Sequence, residues 1–132
     1  MKQFQFLAGN AAFTRERLAV ARANLKKVFD AGVPIVLGTD SGFVGVLIGV
    51  STYVELELLV EAGLLPRDAI QAATINAARM IGRERDLGSV EPGKFADMVI
   101  LDANPLDDIR NVTRIYRTVK GGVLYEPASP AR

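Results

Sequence analysis

The 132 residues predict an α/β protein whose final part turns to β structure, and three features carry that expectation. Helical apolar spacing from Thr14 to Ala31 gives way at Gly32 to an unbroken apolar run, Val33-Pro34-Ile35-Val36-Leu37. That run stops at Gly38-Thr39-Asp40-Ser41-Gly42. Beyond Arg85, short apolar runs alternate with proline and glycine turns, and helical spacing is lost.

Each element follows in order. In the first helix, Leu18, Ala21, Leu25, Val28 and Phe29 share a face, opposite Arg15, Arg22, Lys26 and Lys27. Gly32 suits the position just past a helix end. The run Val33 to Leu37 has no polar alternation, as expected of a strand covered on both faces of a parallel sheet. Val54 to Ala62 reads as a second helix closed by Gly63. Pro66 opens a third, where its missing N–H costs nothing. Thr74-Ile75-Asn76 interrupts it, and Asn76 is placed to cap a short helix from Ala77 to Ile81. Glu91-Pro92-Gly93-Lys94 suits a type II turn. Ala96 to Asp102, Val112 to Lys120 and Val123 to Tyr125 read as strands, the last two joined by the hairpin signal Gly121-Gly122. The expected division is 1–82 for the α/β part, 83–127 for the β part and 128–132 for a loose tail.

Composition excludes several functions. The chain is 49% hydrophobic and 23% charged, as in a globular domain. A net charge of +1, with acids and bases mixed, gives no basic groove for nucleic acid and no polybasic membrane patch. With no cysteine there is no disulfide, thiolate catalyst or zinc–thiolate site, which fits a cytoplasmic protein. Met1 to Asn10 has too short an apolar run for a secretory signal. The uncharged stretch from Ser41 to Val54 is shorter than the ~20 residues of a membrane span and rich in glycine, so it reads as a buried or substrate-lining loop.

Among the acids, Asp40 stands out. Ligands in parallel α/β folds sit outside the carboxyl ends of the strands, where this aspartate lies. The competing reading is that Asp40 caps a turn through Ser41 and Gly42. Asp102 precedes Asn104-Pro105 and reads as a turn residue. Asp97, beside Lys94, reads as a hydrogen-bonded structural residue. Glu55, Glu57 and Glu61 read as a solvated helix face rather than a metal cluster. Gly38, Gly42, Gly45 and Gly49 lack the spacing and lysine of a phosphate loop.

Taken together, three blocks resemble the carboxy-terminal part of the amidohydrolase superfamily, in its imidazolonepropionase-like and prolidase-like branch. They are Ala31 to Gly42 with its Gly-Thr-Asp, Glu55 to Ala78, and Leu87 to Ile109 with Glu-Pro-Gly-Lys-Phe-Ala-Asp. The resemblance implies a (β/α)₈ TIM barrel joined to a small β-sandwich. This chain would supply the last barrel strand, its flanking helices and part of the sandwich. It implies hydrolysis of amide or peptide C–N bonds in small, dipeptide-like substrates by a metal-activated water. One or two divalent ions, Zn²⁺ in most members, would be held largely by histidines. By motif, Asp40 is the one family residue that carries over, as both metal ligand and catalytic proton acceptor.

The chain departs from that pattern by containing no histidine. Tyr53 stands where many relatives place one, and Leu65 where relatives often place a capping threonine. The expectation is therefore an incomplete site and an inactive isolated chain that self-associates or lacks the amino-terminal portion of the barrel. A second expectation is a complementation module that docks on a separate chain carrying the rest of the barrel. A third, an independent α/β domain using Asp40 as phosphoacceptor or Mg²⁺ ligand, needs more buried strands than the one read before Arg85.

Overall fold

The computed structural model describes residues 11–42 and 46–126, with side chains from residue 16 onward. Four helices come first: α1 Ala11–Asp30, α2 Val50–Glu61, α3 Pro66–Ala73 and α4 Ile75–Met80. Strand β1 Met98–Leu101, a 3₁₀ helix Ile109–Thr113, β2 Ile115–Lys120 and β3 Val123–Tyr125 follow. The tail from Pro127 onward lies outside the described residues.

The expected strand at Val33–Leu37 does not form one. The segment runs on without a strand partner. A parallel strand needs a neighbouring ladder, and the only sheet among the described residues is the small antiparallel one farther along the chain. Helices hold the segment instead. The Leu37 N–H donates to the Ala72 carbonyl at the end of α3 (3.1 Å), and Asn76 Nδ2 on α4 donates to the Ile35 carbonyl (2.9 Å). This corrects the expected role of Asn76. The break after α3 is real, but Thr74 occupies the cap position of α4 with no side-chain cap bond, and Asn76 reaches back across 41 residues.

The core lies among α2, α3 and their surroundings. Leu56, Leu59, Leu64, Ala69, Ala72 and Ile109 form one buried cluster, with Leu25, Phe29, Ile35 and Leu37 packed around it. Ala69 and Ala72 have no exposed surface. Methyl side chains let the extended segment and the neighbouring helix approach α3 closely. Pro66 takes the first-turn position as expected, and Leu65 before it makes no side-chain cap. Leu18 and Val28 on the apolar face of α1 remain exposed. Helix α2 begins four residues earlier than the sequence suggested. Leu47 and Ile48 before it are 65% and 81% exposed, so the glycine-rich loop is not buried; residues 43–45 of it lie outside the described residues. No helix among the described residues is long and apolar enough to cross a membrane.

Gly88 passes closely against α4. A side chain there would lie 2.8 Å from Ala78 Cβ and from Ile75 Cα, and its φ is +89°. Only glycine combines that backbone with that approach.

The three strands form an antiparallel sheet in the order β1-β2-β3. Met98 pairs with Val119 and Ile100 with Arg117, with a register irregularity before Leu101. Thr118 pairs with Tyr125 and Lys120 with Val123 across a Gly121-Gly122 turn with both φ values positive (57° and 81°), as a type I′ hairpin requires. The type II turn is likewise present: Gly93 has φ +90°, and the Lys94 N–H donates to the Glu91 carbonyl (3.3 Å). The expected strand from Val112 starts only at Ile115, because Ile109 turns inward to the α2–α3 core and the chain winds around it as a 3₁₀ helix.

Candidate functional site

Asp40 lies just past the extended segment, with φ +48°, the only non-glycine residue with positive φ among those described. The left-handed region costs an L-residue about 1–2 kcal/mol, less for aspartate. Such strain concentrates at functional positions. The Asp40 carboxylate is exposed and accepts no hydrogen bond from the described residues. The turn is closed without it. The Thr39 and Ser41 hydroxyls bond each other (2.6 Å), and the Gly42 N–H donates to the Val46 carbonyl (3.4 Å). Turn-capping therefore does not explain the side chain, which is left free to meet a ligand.

Glu55, on the second turn of α2, is the residue that sequence reasoning missed. Read as part of a solvated face, it is half-buried instead, and its Oε1 accepts the Gly38 N–H (3.4 Å). Burial raises its pKa above the ordinary value, and the nearby Asp40 charge adds to that effect. The Gly38 N–H opposes both. The signal was present in the spacing. Glu57 and Glu61 are four apart and share a face, whereas Glu55 is two from Glu57 and points elsewhere. Glu61 forms an ion pair with Arg22 of α1, which places Arg22 between the two helices rather than on an outer face.

Thr39 and Glu55 line an open groove of about 590 Å³ between α1 and α2. Leu18, Leu25, Leu47, Val54 and Leu58 form its walls, with Arg22 and Ser51 as further polar groups.

Asp97 is bonded within the fold. Asp97 accepts from the Gly121 N–H (2.6 Å) and from Lys120, which together lower its pKa, Lys120 having the larger effect. Its partner is thus Lys120 across the sheet and not Lys94, which bonds Ser89 (2.5 Å) instead. At the turn beyond Asp102, Asn104 Oδ1 accepts the Leu106 N–H (3.0 Å).

The residues present do not make a metal centre by themselves. Among the described residues no group of three or more His, Cys, Asp or Glu is placed to hold an ion. Asp40 and Glu55 offer carboxylate oxygens only, and zinc sites draw mainly on nitrogen and sulfur ligands.

Comparison with known proteins identifies the family. The sequence profile of the Amidohydrolase family matches residues 5–124. An imidazolonepropionase from Shouchella clausii is 34% identical over 96% of this chain and 30% of its own length. An ochratoxinase from Aspergillus niger is 38% identical over 82% of this chain and 23% of its own. The crystal structure of a putative prolidase from Bifidobacterium longum superposes with a TM-score of 0.74 at 38% identity, covering 82% of this chain and 26% of that one. The chain thus spans less than a third of the length of these relatives. With a profile match along nearly its whole length and a shared backbone course, the chain belongs to the amidohydrolase family.

Proposed function

We propose that this chain is the carboxy-terminal part of a metal-dependent hydrolase that cleaves amide or peptide C–N bonds in small substrates, with Asp40 as its reacting carboxylate. The observation that carries the reading is Asp40 itself: a strained backbone and an exposed, unbonded carboxylate at the end of an extended apolar segment. A carboxylate held that way accepts a proton from a nucleophile and returns it to a leaving nitrogen. Asp40 also offers one oxygen donor to a divalent ion such as Zn²⁺, whose remaining ligands would come from outside these residues. Residues 1–82 would then be the last strand and helices of a TIM barrel and 83–127 part of a β-sandwich. The relatives named as imidazolonepropionase, ochratoxinase and prolidase support an amide or dipeptide-like substrate.

The isolated chain should not turn over amides or dipeptides with Zn²⁺ added. Grafted in place of the matching segment of the Bifidobacterium prolidase, it should restore hydrolysis, and Asp40→Asn in that chimera should lower kcat by about 10²–10⁴-fold. A chimera whose rate ignores Asp40→Asn would overturn the assignment.

A second reading, a module that docks on a separate chain carrying the other ligands, draws on exposed apolar residues. Leu47, Ile48, Val50 and Val54 on one side and Val123, Leu124 and Tyr125 on the edge strand are each about half exposed or more. Both readings give Asp40 the same role.

A further inference from the structure

We propose that Glu55 is a positioning residue that holds the Gly38-Thr39-Asp40 turn and so the backbone that presents the Asp40 carboxylate. The inference rests on Asp40 being the reacting carboxylate. The extended segment has no strand ladder, so its backbone depends on a few bonds from helices. Asn76 secures Ile35 and the end of α3 secures Leu37. Glu55 secures Gly38, and no other backbone bond among the described residues holds the chain before Gly42 meets Val46. Asp40 therefore follows directly on the last anchor, in a conformation an unanchored aspartate would abandon.

The acceptor and the charge of Glu55 separate in the laboratory. Glu55→Ala removes both acceptor and charge, while Glu55→Gln keeps an acceptor oxygen at the same reach. Amide hydrogen exchange of the full 132-residue chain, followed by NMR, reads the Gly38 N–H directly. In Glu55→Ala, Gly38 should exchange at least about tenfold faster, the Asp40 and Ser41 amide resonances should shift, and core amides such as Ala62 should keep their wild-type rates. Glu55→Gln should restore Gly38 to within about threefold of wild type. Glu57→Ala, which alters the face toward Arg110, should leave Gly38 unchanged. A merely structural role would move the core amides together with Gly38, and that result overturns the proposal. So does unchanged Gly38 exchange in Glu55→Ala. Failure of the hydrolase reading is distinguishable: it would show as indifference to Asp40→Asn in the chimera, with the Gly38 result intact.

Discussion

Among single side chains, Asp40 and Glu55 differ in what holds them: Asp40 is exposed and unbonded, and Glu55 accepts the Gly38 N–H. Asp40 adopts a backbone that glycine would take without steric strain, and its side chain makes no bond in return. Natural sequences keep such residues where chemistry requires them. Asp40→Gly should therefore stabilise the chain by up to about 1 kcal/mol in urea denaturation, because the left-handed region is open to glycine. The same change in a catalytic assembly should remove activity. A loss of stability beyond glycine's own entropic cost of about 1 kcal/mol would show that the carboxylate contributes to folding after all. The position of Asp40 after an apolar run was legible from sequence. The contact of Glu55 was not, because its partner is a backbone N–H 17 residues away that no side-chain pattern reveals.

Among the elements, the hairpin shows best how a polar residue earns its place in a short sheet. Asp97 stands before β1 and fastens the β2–β3 turn by accepting from Gly121 and Lys120. Both interactions hold its pKa below the ordinary aspartate value. A carboxyl with a depressed folded-state pKa adds stability above its unfolded pKa, and that stability is lost as pH falls through the folded value. Asp97→Asn should thus lower the thermal midpoint at neutral pH, and the gap to wild type should close as pH falls from about 5 to below about 3. Melting curves at a series of pH values check this; a gap that stays constant with pH would mean the charge plays no part. The turn chemistry of this hairpin and of Glu91-Pro92-Gly93-Lys94 was readable because φ limits act locally. The 3₁₀ helix at Ile109–Thr113 was not, since an apolar stretch reads the same whether it pairs in a sheet or turns into a core.

For the molecule as a whole, the 3₁₀ helix joins the sheet to the helical core through Ile109 and Val112. Ile109, 6% exposed, leaves the 3₁₀ helix to enter the core of Leu56, Leu59, Leu64, Ala69 and Ala72. Ile109→Ala should cost about 2–5 kcal/mol in urea unfolding and loosen the sheet before the helices, as seen by earlier loss of exchange protection in β1 and β2. Simultaneous loss of protection in both parts at a cost below about 1 kcal/mol would show that the junction lies elsewhere. The α/β character, the helix at Pro66, the glycine turns, the three strands and the prominence of Asp40 all follow from local rules: helical spacing, fixed φ at proline, positive φ at glycine. What the chain does with Val33–Leu37 was decided only by tertiary structure. A strand is completed by a neighbour, and here the neighbours are Ala72, Asn76 and Glu55 on three helices. Hydrogen bonds between groups 17 to 41 residues apart depend on how the helices pack, and packing is a property of the folded chain that no run of adjacent residues encodes.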